Sequence, residues 1–242
     1  MTTSLDTATL SHNLLGQRLG RKGRDTRERI LAAAERLLEG PRDQPVTLSA
    51  VAREASLGMT TLYLYFSDLT ELLLAALDPI MASAEDAYMG LVRARWPDET
   101  LDQHCLAFVD AYYAFWRRHT RILHLRNSLA DGADARMRDE RRRASMPLYT
   151  LILRQFEGDA APAYSPAIAL ASVLLTGLER VITMATDLSV QDYMGEDPDA
   201  YIRNMLAAQA RLLELGVRDG RASLGASASE ARPAALRQVA GR

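Results

Sequence analysis

Apolar periodicity constrains this chain most: from Asp25 to Gly216, leucine, isoleucine and alanine recur at helical spacing, in segments parted by Gly, Pro and Asp breaks. Runs rich in Val, Ile and Thr are scarce, and only 6% of the 242 residues are aromatic. That pattern favours helix throughout, so the expected class is all-α, with about nine helices. The length suffices for one small domain and one medium one, or for a single large one.

The expected organisation is a flexible basic arm over 1–22, a three-helix helix-turn-helix head over 23–67, a helical ligand-binding and dimerisation domain over 68–217, and a disordered tail over 218–242, rich in Ala, Ser, Gly and Arg. The first helix is expected over Asp25–Glu39. It has Ile30, Leu31, Ala34, Leu37 and Leu38 on one face and Arg27, Glu28, Glu35 and Arg36 on the other, and Gly40-Pro41 stops it.

Two short helices follow. Thr47 is the N-cap of the first, whose apolar stripe is Leu48, Val51, Ala52 and Ala55. Ser56-Leu57-Gly58 forms a tight turn in which Leu57 locks the helices together and Gly58 takes the backbone shape of the corner. The second runs from Met59 to Phe66, after which Asp68 caps a longer helix, with Glu71 reaching back toward the cap and Pro79 expected to kink or end it. Short helices joined by such a turn have the geometry of a helix-turn-helix, whose second helix enters the major groove of DNA.

Charge supports this locally rather than globally. The net charge is −2, yet Arg18, Arg21, Lys22, Arg24, Arg27 and Arg29 crowd one short stretch against Asp25 and Glu28. Such asymmetry suggests that this end meets a polyanion.

The single cysteine, Cys105, excludes an internal disulfide and a zinc site built on several thiolates. Its neighbour His104 points about 100° away on a helix, so the pair is no nucleophile and base. No polar constellation has catalytic spacing, so no enzyme, cofactor or metal is expected; His119 and His124 have no acidic or thiol partner at ligand spacing. No apolar stretch of about eighteen residues is free of charge, which argues against a membrane partner. With no secretion signal in 1–16, a cytoplasmic protein is expected.

The run Arg29-Ile30-Leu31-Ala32-Ala33-Ala34, then Thr47 to Ala55, then Thr61-Leu62-Tyr63-Leu64-Tyr65-Phe66 and Leu72-Leu73-Leu74, resembles the DNA-binding head of TetR/AcrR-type transcriptional regulators over Arg24–Leu77. The resemblance implies a ligand-responsive regulator, by default a repressor, that binds palindromic operator DNA as a homodimer and is released by a small-molecule effector. The residues agree. Met59, Thr60, Thr61 and Leu64 are expected to face base edges and thymine methyls, and Tyr63 and Tyr65 to face phosphates. Thr47 is expected at a phosphate from its helix N-terminus, with Lys22 and Arg24 along the backbone. Two positions depart from the family pattern. Gly58 stands where a small hydroxyl residue is common, and Leu69 where a phosphate-binding lysine is, which shifts the electrostatic load to the arm.

Beyond the head, large apolar residues suggest an apolar or amphipathic effector, with Tyr112, Trp116, Leu123, Met137 and Phe156 as walls and His119 and Arg126 as polar anchors. Ile168, Leu175 and Leu178, with Ile202 and Leu206 of the last helix, are expected to pair with their symmetry mates as a four-helix bundle. Pro79 is the expected hinge between head and sensor. The alternative reading is a helical small-molecule-binding or adaptor protein without DNA-binding activity.

Overall fold

The computed structural model describes residues 19–41, 44–157, 166–187, 189 and 197–239, with side chains to 223 in the last segment. Among them are ten α-helices and no strand, the all-α class expected. The helices are α1 Arg21–Glu39, α2 Leu48–Glu54, α3 Met59–Leu62, α4 Leu69–Ala82, α5 Ala84–Ala87, α6 Leu101–Arg118, α7 Thr120–Asp131, α8 Ala135–Glu157, α9 Pro166–Ala185 and α10 Pro198–Val239. Two compact units divide the chain. The first is everything up to Ala82 together with Arg121–Arg141, and the second is Ser83–Thr120 with everything from Arg142 onward.

In the first unit α1, α2, α3 and the start of α4 close around Ile30, Ala33, Ala34, Val51, Ala52, Ala55, Leu62, Phe66 and Leu72. Small alanines facing Phe66 let these short helices approach closely, and burial of this set is what holds a seven-residue helix and a four-residue one in place. The Thr47 cap is as expected, its Oγ1 accepting from the Ala50 amide at 3.1 Å. Helix α1 begins at Arg21, four residues before the expected start, so Arg21 and Lys22 are helical. The rest of the expected arm, residues 1–18, lies outside the described residues.

The turn between α2 and α3 differs from expectation. Gly58 has ordinary extended backbone (φ −75°, ψ 151°), and the left-handed residue is Ser56, at φ 53°. A serine there carries strain that glycine avoids. Ser56→Gly is therefore expected to raise stability by about 0.5–1 kcal/mol, the relief being partly offset by the greater freedom of glycine in the unfolded chain. A urea midpoint that falls instead would refute this.

Pro79 lies inside α4, which runs on to Ala82; the glycine expectation for the last helix is corrected. Gly216 does not end the last helix: α10 runs on to Val239. The reason is packing in the second unit. A Cβ on Gly216 would meet Leu174 Cδ1 at 2.6 Å, and one on Gly220 would meet the Phe156 ring at 3.2 Å. These glycines permit close approach rather than stopping the helix.

The second unit is built on α6, α9 and α10 around Leu101, Phe108, Leu174, Leu178, Ile202, Leu213 and Val217. Gln155, fully buried, knots its far end: Oε1 accepts from the Trp96 amide at 2.9 Å, and Nε2 donates to the carbonyls of Val92 and Ala94 at 2.9 and 3.0 Å. Arg221 of α10 adds bonds to the Gln155 and Trp96 carbonyls at 2.8 and 3.0 Å.

Candidate nucleic-acid interface

Helix α3 is a single α-turn that tightens at its end, where the Leu64 amide donates to the Thr61 carbonyl at 3.2 Å. Leu62 and Phe66 turn inward, and the remaining side chains divide. Thr60 and Tyr63 are exposed, Tyr63 by 48%; Thr61 and Leu64 are half-buried. Met59 and Tyr65 are half-buried as well, each packing in part against the core. Their positions on the short turn, flanking Leu62, bring both under the same apolar roof. Leu69 packs there too.

Around α3 lie the polar groups of α2. The Thr47 hydroxyl sits 3.0 Å from that of Ser49, at the N-terminus of α2. Arg53, one turn on from Ser49, is exposed. Lys22 is exposed at the start of α1, while Arg24 turns back to donate to the Leu19 carbonyl at 3.0 Å.

The basic cluster read from the sequence is partly structural. Arg27 lies 5.2 Å over the Phe66 ring, and burial lowers its pKa, with Glu71 and Asp78 opposing. Arg29 donates to the Ala55 carbonyl at 2.7 Å, satisfying the C-terminal end of α2. Arg36 pairs with Glu54 at 2.7 Å. Three of the cations in α1 therefore brace the head, which leaves Arg21, Lys22 and Arg24 exposed at its start.

The expected cap of α4 is present in altered form. Asp68 Oδ1 accepts from the Glu71 amide at 2.9 Å, but Glu71 reaches past the cap to the Ser67 amide and hydroxyl at 2.6 and 2.7 Å. Sequence reasoning missed the partners of this corner. Arg136 binds Asp68 Oδ2 at 2.9 Å, Thr70 donates to Asp134 at 2.7 Å, and Asp134 also caps α8 through the Arg136 and Met137 amides. Hydrogen bonds and Arg136 hold the carboxyls of Asp68 and Asp134 below the usual range, against desolvation. Arg121, also missed, donates to the carbonyls of Leu37, Gly40, Pro41 and Gln44. Separations of 64 to 84 residues leave no local signal for these contacts.

The expected effector residues are divided between the units. Leu123, Arg126 and Met137 belong to the first; Tyr112, Trp116, His119 and Phe156 to the second. All but Tyr112 and His119 are buried. Tyr112 meets Tyr88 edge-on at 4.8 Å and Trp116 at 6.3 Å, within an aromatic cluster that includes Phe108 and Phe115. His119 packs on Phe115 at 5.0 Å, and burial, aided by Arg118, lowers its pKa. Arg126 bonds Asn127 Oδ1 at 3.2 Å. Burial pushes the Cys105 thiol up to about 12, so it stays protonated, and among the described residues no group of three or more His, Cys, Asp or Glu is arranged to hold a metal ion.

Leu178, Ile202 and Leu206 are buried within the chain's own unit, and Ile168 and Leu175 are half-buried beside them. The apolar surface left over lies elsewhere on the same helices. Ala169, Val173, Thr176 and Arg180 are exposed along α9, and Tyr201, Asn204, Ala208, Arg211 and Leu215 along α10, each at alternating spacings of three and four. Helix α9 is also long and apolar enough to cross a membrane by length and composition, with mean hydropathy 1.6 in a window 28% buried. Glu179 and Arg180 interrupt it, which is why it does not register as a charge-free stretch.

An all-helical chain with a helix-turn-helix at its head defines a class, and the comparisons place the fold within it. A TetR-family transcriptional regulator from Streptomyces coelicolor shares the fold at a TM-score of 0.56 and 18% identity, over 91% of this chain and 90% of that one. A second Streptomyces coelicolor TetR-family regulator aligns at a TM-score of 0.41 and 19% identity, over 81% of this chain and 98% of its own. In sequence the chain is 31% identical over 91 residues to the HTH-type transcriptional regulator EthR of Mycolicibacterium smegmatis. That match spans 37% of this chain and 42% of the relative's length. No family model matches the chain. The protein thus has the TetR-family fold, as the residues of its head suggest.

Proposed function

We propose that this protein is a cytoplasmic transcriptional repressor that binds palindromic DNA as a homodimer and is released by an apolar or amphipathic small molecule. The observation that carries this reading is the head: a Thr47-capped brace helix, then a one-turn helix that offers Thr60 and Tyr63 outward from a core closed by Leu62 and Phe66. Thr60 and Thr61 read base edges, Tyr63 and the N-terminus of α2 hold phosphates, and Lys22 follows the backbone. Met59, Leu64 and Tyr65 contribute through the part of each side chain left uncovered, at thymine methyls and, for the Tyr65 hydroxyl, at phosphate.

Dimerisation uses the exposed seams of α9 and α10. Alternating spacings of three and four are those of left-handed helix-bundle packing, so two helices from each copy form a four-helix interface. The effector lies against Tyr112 and the aromatic cluster around it in the second unit, with His119 as polar anchor and the buried residues Trp116 and Phe156 opening to admit it. Its binding favours a state in which the two heads no longer fit successive major grooves, with Pro79 absorbing the change.

A footprint on the DNA flanking its own gene tests this. Two protected half-sites about 34–36 Å apart are expected, with affinity falling steeply as salt rises. Weak protection without sequence preference would defeat the proposal.

A further inference from the structure

The segment Arg121–Arg141 belongs to the same compact unit as the head, although 38 residues of the second unit precede it in the chain. Polar ties from it to the helix-turn-helix fall at two places. Arg121 gathers the carbonyls of Leu37, Gly40, Pro41 and Gln44, the stretch by which the chain leaves α1 and approaches Thr47 at the start of α2. Arg136 and Asp134 hold Asp68 and Thr70, just beyond the end of the recognition turn at Phe66. The entrance and the exit of the helix-turn-helix are therefore pinned by one contiguous piece of chain. Half-exposed polar ties of this kind add little to stability. Their effect is geometric, since they fix the direction of the segments on either side of α2 and α3.

We propose that Arg121 and Arg136 are positioning residues for DNA binding: from outside the helix-turn-helix they set the angle at which α3 is offered to the groove. The inference rests on the DNA-binding reading above. Base-edge hydrogen bonds tolerate only narrow donor–acceptor distances, so a small tilt of a one-turn helix is felt in affinity even where the fold is intact.

The test uses the full chain and the duplex that the wild type selects most tightly from a randomised pool. Arg121→Gln, Arg136→Gln and Asp68→Asn are compared for affinity, salt dependence and Tm. Asn at position 68 still caps α4, so this variant removes the ion pair and keeps the helix, and it decides the matter if Arg121→Gln unfolds. Each variant is expected to bind about tenfold more weakly, with little change in Tm and an unaltered salt slope, because no phosphate contact is lost. Asp68→Asn combined with Arg136→Gln is expected to bind no worse than either alone. Unchanged affinities, or losses that simply track Tm, would reduce these residues to packing and overturn the proposal. A salt slope lower by about one in Arg121→Gln or Arg136→Gln would overturn it too, by making that arginine a phosphate ligand. A wild type that selects no duplex would instead defeat the DNA-binding reading, and this inference with it.

Discussion

Replacing Gln155 with leucine is expected to lower the unfolding free energy by about 3–5 kcal/mol while leaving the shape of the site nearly unchanged. Gln155 has no exposed surface, and its amide satisfies three backbone groups at once: the Trp96 N–H and the carbonyls of Val92 and Ala94. Leucine fills similar volume and satisfies none of them. Each orphaned buried group costs about 1–3 kcal/mol, the Ala94 carbonyl at the lower end because its bond is only partly buried. For a chain of this length the loss corresponds to a fall in Tm of roughly 10 °C. Gln155→Glu separates the two halves of the contact. It keeps an acceptor for Trp96 but sets a carboxylate against two carbonyls, and it is expected to destabilise at least as much at neutral pH and less in acid, where protonation restores a donor. A leucine variant that melts within about 2 °C of the wild type would show that water replaces the side chain, and the knot would lose its role.

The sequence made the head legible because its elements are short and locally signed. The Thr47 cap, the inward pair Leu62 and Phe66, and the end of α1 at Glu39 all follow from spacing within a few residues. The errors have physical causes. By composition Gly58 is the natural bent residue of the turn, but Ser56, two residues earlier, takes the left-handed backbone, and the Leu57 amide returns to the Ala52 carbonyl at 2.8 Å to close the end of α2. Gly216 and Gly220 have the composition of a helix end but lie where Leu174 and Phe156 crowd the backbone. Nothing local separates a glycine that ends a helix from one that admits a neighbour.

The faces of α9 and α10 show a second limit. Both helices are apolar on more than one side, so periodicity establishes that they are helices without saying which stripe faces inward. The buried stripe of α9 is Ala167, Ala171, Leu174, Leu178 and Ile182, and the exposed one is Ala169, Val173, Thr176 and Arg180. Packing against α10 decides between them. The same holds for charge. Glu214 is buried with Arg211 and Arg218 beside it at 2.5 and 2.9 Å, and they hold its carboxyl below the usual range. Its contribution to stability is complete above the unfolded pKa, near 4.3, and is lost as pH falls through the lowered folded value. On a helical wheel this glutamate reads as an ordinary surface residue.

The exposed stripe leads to the largest functional effect expected. If the proposed dimer forms through α9, Val173→Glu should convert it to monomer and weaken binding to a two-half-site duplex on the order of a hundredfold. Val173 is 68% exposed, the most exposed large apolar side chain among the described residues, midway along a helix whose apolar window is only 28% buried within its own chain. In a two-fold interface each residue occurs twice, so one substitution places two carboxylates in the same desolvated seam, together with the loss of two valine contacts. The cost falls on association alone, since an exposed position imposes no packing penalty on the isolated chain. Sedimentation velocity should therefore give a monomer mass while helicity and Tm at low concentration stay near the wild-type values. DNA affinity then falls because the second head no longer arrives with the first, and binding to a single half-site should be unaffected. If the variant remains dimeric and folded, α9 is not the interface; if the wild type needs detergent to stay in solution and binds vesicles of neutral lipid, the apolar face serves a membrane instead.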